Sequence, residues 1–220
     1  MGSRGKMIRR IVAAGEKIRT KTLIIVGGKS CEKEHLLYVM ERLGDDLLSL
    51  ILNKIEIDDP NDRNSLAQVC KQWLRVEGLQ RSSLRVFETN FLPNFLPRFP
   101  NLVKLHVSAA ISNSLIQFVV NTCPRIQVLN LNYRQKGDFA GENVETDDFD
   151  DEGLREIAEG CCDLEAIVLR RRVGIGNRGV ASLGEFSRNL RNLDLRWCRK
   201  VSDEALESIG GLNHLEGLDL

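Results

Sequence analysis

The feature that most limits how this chain can fold is a short apolar spacing, L-x-x-L-x-L with limited substitution, that returns five times. It reads Leu102/Leu105/Val107, Ile126/Leu129/Leu131, Leu164/Ile167/Leu169, Leu190/Leu193/Leu195 and Leu215/Leu218/Leu220. The central residues Leu105, Leu129, Ile167, Leu193 and Leu218 sit 24, 38, 26 and 25 positions apart. Side chains alternate between the two faces of an extended chain, so each motif predicts a short strand with its leucines turned inward. Between the motifs, residues 151–158 and 202–209 place capping residues ahead of apolar groups at helical spacing. Each unit is therefore strand, turn, helix, and a single unit of that size cannot bury its own apolar face. Stacking the units into a curved solenoid, with the strands on the concave side, solves the problem.

Three of the four intervals match the period of leucine-rich repeats, roughly 20 to 29 residues. The 38-residue interval is one repeat plus an insertion, and residues 137–152 supply it, with eight acidic side chains and no basic one. The sequence predicts an exposed acidic loop over about 135–151, because clustered carboxylates repel and bring little apolar surface to bury. The last motif ends with Leu220, so an uncovered strand edge is expected there, as in a truncated product or a fragment.

With the leucines inward, the intervening residues face out of the sheet. Among them Lys104, His106, Asn130, Asn132, Arg170, Asn192, Asp194 and Arg196 are the candidate substrate-binding residues, reinforced by Arg171 and Arg172. A charged run is most often a solvated face. The sharper expectation is an acidic segment or an anionic ligand, since guanidinium forks suit carboxylate and phosphate.

Ahead of the repeats the pattern is helical. Leu43, Leu47, Leu48, Ile51, Leu52 and Ile55 fall on one broad helical face, and Asp58-Asp59-Pro60 stops the helix. A second start follows, where Asp62 or Asn64 can cap the run from Ser65 to Leu74. Residues 1–40 form a basic leader without sustained periodicity. The expected organisation is thus a flexible leader over 1–40, a helical module over 41–81, and repeats over 82–220. The fold class is α/β, a short all-helical module followed by a partial strand-turn-helix solenoid.

The segment Leu43-Gly44-Asp45-Asp46-Leu47-Leu48, then Ile51-Leu52-x-Lys54-Ile55, then the run from Asp62 to Trp73, resembles the F-box, in the version found in plant auxin- and jasmonate-receptor F-box proteins. Arg98-Phe99-Pro100-Asn101-Leu102 resembles the start of that family's first repeat. Leu193-x-Leu195-x-x-Cys198-x-x-Val201-Ser202-Asp203-x-Ala205-Leu206 resembles its cysteine-containing repeat. The resemblance implies a substrate-recognition subunit of an SCF-type ubiquitin ligase. Its F-box would bind the SCF adaptor subunit, and through it a cullin, and its repeats an unknown protein substrate. It further implies that Leu43, Leu47, Leu48, Ile51, Val69, Lys71 and Trp73 form the adaptor-binding set. Leu52, Ile55 and Leu66 are assigned to packing. For Leu43, Leu47 and Trp73 contact is favoured, since a module this small cannot hide every large apolar group. Gly44 departs from the family, which usually has proline there, and leaves the helix start looser. The alternative is a leucine-rich-repeat interaction protein outside any ligase, or an inactive F-box product.

Other functions find little support. The formal charge is zero, which gives no reason to expect nucleic acid, and no apolar window approaches the roughly 20 residues of a membrane span. Six cysteines (Cys31, Cys70, Cys123, Cys161, Cys162, Cys198) show no C-x-x-C spacing and no signal peptide accompanies them. They predict reduced thiols and a nuclear or cytoplasmic location. Cys123 and Cys161 stand where Ser187 and Leu212 stand in later repeats, which marks a packing position and not a metal ligand. Leu23 to Ser30 mimics a phosphate-binding loop, but Leu23 occupies its first glycine position. Gly2 begins a myristoylation-like start that has Lys6 where Ser or Thr is needed. His35, His106 and His214 have no partnered nucleophile near them in sequence, so neither catalysis nor a cofactor is expected.

Overall fold

A computed structural model describes residues 44–54, 68, 70–133 and 148–220, with the side chains of Ile51 and Lys54 outside the description. The leader, the loop-like segment at Leu23 to Ser30, Leu43, Ile55, Leu66, Val69 and most of the acidic insertion therefore lie outside the described residues. The chain divides into two compact units, Met1–Gln80 and Arg81–Leu220.

In the first unit, α1 (Asp45–Lys54) and α2 (Lys71–Gln80) pack against one another. Asp45 and Asp46 occupy the first turn of α1, where the helix dipole favours negative charge. Asp45 also ties the helices together, accepting from Gln72 at 2.9 Å and pairing with Arg75 at 2.5 Å.

The second unit is a six-stranded sheet in sequential order, every neighbouring pair parallel: β1 (Ser83–Val86), β2 (Lys104–Val107), β3 (Val128–Asn130), β4 (Ala166–Val168), β5 (Asn192–Asp194) and β6 (Gly217–Asp219). Helices return the chain from strand to strand: α3 (Leu92–Phe95), flanked by two 3₁₀ turns, then α4 (Asn113–Thr122), α5 (Asp151–Gly160), α6 (Asn177–Phe186) and α7 (Asp203–Ile209). The motif leucines fall in register, Leu84, Leu105, Leu129, Ile167, Leu193 and Leu218 forming one row across the sheet. Leu105, Leu129, Ile167 and Leu193 make a single core with Ile116, Leu154, Val180 and Ala205 of the helices, Leu84 packs against it half-buried, and Leu218 on the last strand is exposed.

Two further rows hold the stack. Phe99, Cys123, Cys161, Ser187 and Leu212, each three residues ahead of a motif, are all buried. Cys161, Ser187 and Leu212 also offer carbonyls to the N–H of Leu164, Leu190 and Leu215. On the helix side, Asp150 and Asn113 bond reciprocally, Gly176 N–H donates to Asp151 at 2.7 Å, and Ser202 N–H donates to Asn177 at 2.9 Å. The first residue of each helix thus caps the start of the next.

Strand β1 was not expected. Arg81 stands where the motif's first leucine would be, so only Leu84 and Val86 carry the pattern. The acidic stretch also differs from a solvated loop at its end. Phe149 is buried, Asp148 pairs with the buried Arg172, Asp150 accepts from Glu152 N–H as the cap of α5, and Asp151 lies in the helix. Its carboxylates are used because helix starts and a buried guanidinium both need acceptors.

Candidate functional site

The first candidate surface lies on the helical module. Buried Leu48, Leu52, Trp73 and Val76 contrast with Leu47, 45% exposed, and Leu50, 51% exposed. Leu47 and Leu50 are one turn apart on α1 and share a face. Lys71, at the start of α2, is exposed. Trp73 is 0% exposed and shares with Val76 and Glu77 the buried side of α2. Its indole N–H finds no acceptor among the described residues. Its bulk is therefore turned inward, unlike the outward contact expected of it, because residues three and four apart lie on one helical face. Leu48 is likewise fully buried. Leu50, and Leu79 on α2, also exposed, escaped the sequence reading. With Leu47, Leu48, Leu50, Ile51 and Leu52 in one short helix, no single face can hide them all.

The second candidate is the face of the sheet opposite the helices, where the predicted residues form three groups. Lys104 and His106 of β2 sit beside Arg85 of β1, which pairs with His106 in register. Burial, with Arg85 and Lys104 nearby, lowers the pKa of His106 and so disfavours its charged form. Asn130 and Asn132 form a local turn in which the Asn130 side chain accepts from Asn132 N–H at 3.1 Å. Asn192 is exposed. Arg170, Asp194 and Arg196 make the third group, extended by Asp219. Asp194, only 6% exposed, takes Arg170 Nε at 2.5 Å and Arg196 at 2.7 Å, and Arg196 reaches Asp219 at 3.1 Å. Burial pushes the Asp194 carboxyl up, while Arg170 pulls it down.

Two expectations about this face change. Asp194 points out of the sheet but lies beneath two guanidinium groups. Arg172 does not reinforce the basic surface: it is fully buried, because the chain turns through a left-handed residue at Arg171, φ 62°, and swings the next side chain into the core. Sequence reasoning missed Arg85 along with β1. A small polar recess of about 140 Å³, lined by Gln127, Asp163, Glu165, Asn189, Arg191 and His214, lies at the opposite ends of the strands, away from these groups. Among the described residues no cluster of three or more His, Cys, Asp or Glu could hold a metal, and no helix is long and apolar enough to cross a membrane.

Fold and surfaces define a class: a helical module followed in sequence by a parallel strand-helix repeat sheet. Residues 40–83 match the F-box family model. GRR1-like protein 1 of Arabidopsis thaliana is 27% identical over 164 residues, covering 70% of this chain and 26% of that protein. The chain thus spans about a quarter of the relative's length. Among solved structures, the Rad7 and Elc1 complex of yeast matches 80% of this chain and 60% of its own, at 15% identity and a TM-score of 0.46. An internalin of Listeria monocytogenes matches 66% and 36%, at 14% identity and a TM-score of 0.39. The chain thus carries a segment similar to the F-box, ahead of repeats in a stretch similar to part of a plant protein.

Proposed function

We propose that the chain is the substrate-recognition part of an SCF-type E3 ubiquitin ligase. Residues 41–81 dock on the adaptor subunit, which joins them to the cullin, and residues 82–220 hold a target protein. The work done is proximity: one end holds the ligase while the other presents a target lysine, so the chemistry belongs to its partners and this chain is not itself an enzyme. Modification of the target for proteasomal degradation, in the nucleus or the cytoplasm, completes the reading. The observation that carries it is the apolar pair Leu47 and Leu50, exposed on a helix inside the segment that matches the F-box. An uncovered pair of leucines on so small a module favours a partner. Co-expression of the full chain with the adaptor subunit tests the proposal. A ligase receptor co-elutes with the adaptor as a stable complex on size exclusion. Separate elution of the two proteins would instead mark a repeat protein that binds targets outside any ligase.

A further inference from the structure

Arg170 and Arg196 of the open face are committed to carboxylates of that face, but the rim at the C-terminal ends of the strands is not. Hydrogen bonding continues there past the strands. Tyr133 N–H donates to Arg170 O at 3.1 Å, and Arg171 N–H to Arg196 O at 3.0 Å. Tyr133, Arg171 and Trp197 therefore stand side by side on three successive chain passes, about 4.8 Å apart.

Trp197 is 67% exposed. Arg171 is exposed and makes no ion pair among the described residues. Two positions further along the same two turns, Val173 and Arg199 are exposed as well. Arg171 and Trp197 hold φ of 62° and 67°, a left-handed conformation that glycine adopts without steric cost and other residues resist. A turn needed only to close a strand would be better served by glycine. These two turns instead carry an arginine and a large tryptophan, each followed by a buried residue, Arg172 or Cys198. Tryptophan, tyrosine and arginine are the side chains that most often concentrate binding energy at protein interfaces.

Charge indicates what could bind. Residues 170–173 and 196–200 contain six basic side chains and no acidic one. Asp148 neutralises Arg172, and Asp194 and Asp219 hold Arg170 and Arg196. Among the described residues Arg171, Arg199 and Lys200 are left over. We propose that the rim formed by Arg171, Val173, Trp197 and Arg199 is the docking edge for an extended acidic segment of a protein partner. Its carboxylates would lie on the guanidinium groups and an apolar side chain on the indole. The inference rests on the repeats being the target-binding half of the chain.

The chain contains two tryptophans, one buried and one exposed, so indole N–H resonances of the full chain report the rim directly. Titration with the peptide acetyl-Glu-Asp-Leu-Asp-Glu-Phe-amide is expected to move the Trp197 signal saturably and leave that of Trp73 in place. Binding weakens at least tenfold in Trp197→Gly, which suits the backbone and keeps the fold, and in Arg171→Glu. A Trp197 signal unmoved by millimolar peptide would overturn the proposal. So would unchanged affinity in both variants, or a stronger response to a single-stranded oligonucleotide than to the peptide. Adaptor co-elution is a separate readout: its survival alongside a silent rim sinks the rim alone, and its loss alongside a responsive rim sinks the ligase reading alone.

Discussion

Replacing Arg172 with methionine removes the group on which the repeat junction after β4 is built. Arg172 is fully buried, donates to Leu131 O at 2.6 Å and Ala109 O at 3.0 Å, and pairs with Asp148. Its guanidinium carbon lies 5.3 Å from the ring centres of both Tyr133 and Phe149. One side chain thus joins both ends of the insertion to the turn after β2. Burial pulls the pKa of Arg172 down and Asp148 opposes it; arginine keeps its proton in either case. Methionine retains most of the bulk, so the loss is electrostatic. It leaves Asp148 buried with backbone donors such as Ile111 N–H at 3.2 Å. Breaking one side of a buried pair costs about 3–5 kcal/mol, whereas replacing both partners with apolar residues is often close to neutral. Urea unfolding of Arg172→Met, Asp148→Leu and the double variant should therefore show each single change to be costly and the double to recover most of the loss. The expected coupling is about 2 kcal/mol or more. Additive effects, or a loss below about 1 kcal/mol for Arg172→Met, would refute the reasoning.

Helix spacing gives a second expectation. A Cβ on Gly184 would meet the backbone oxygen of Ser208 at 2.3 Å, and one on Gly160 would meet Val120 Cγ1 at 2.0 Å. Gly184→Ala must push α7 away and should lower stability by about 1–3 kcal/mol in thermal unfolding, more than Gly160→Ala, where a side chain can shift. The buried thiols give a third. Burial pushes Cys123 and Cys198 up to about 11 and Cys161 up to about 12. Iodoacetamide at pH 8 should label exposed Cys162 in the folded chain and reach these three only after unfolding. Because their folded values lie above the ordinary thiol value of 9.0, the stability they contribute is full below pH 9 and is lost towards pH 11 to 12. Denaturant midpoints should accordingly be lower at pH 10 than at pH 8.

Much of the repeat region was legible because its signal is periodic. Leucines three and two residues apart fix each strand, its inward face and its neighbours, and five motifs landed in register. What was not legible depends on single residues. Arg81 in place of a leucine hid β1, and with it Arg85. The run Arg170-Arg171-Arg172 gives no sign that its middle residue reverses the backbone and buries the third. The acidic stretch reads as uniform charge, yet Asp148, Asp150 and Asp151 each have a defined structural partner. In the helical module, leucines crowd at adjacent positions, and a step of one residue turns about 100° around the helix. Composition alone therefore could not separate Leu48, which is buried, from Leu47, which is not.

That distinction allows the docking claim to be tested without disturbing the fold. Leu47→Asp alters an exposed side chain and should change stability by less than about 0.5 kcal/mol. The affinity of the full chain for the SCF adaptor subunit, measured by calorimetry for the wild type and this variant, is the direct test. Docking through α1 predicts tight binding by the wild type and a loss of about 2–4 kcal/mol, some 30- to 1000-fold, in Leu47→Asp. Equal affinities for the two proteins, or no binding by either, would contradict it.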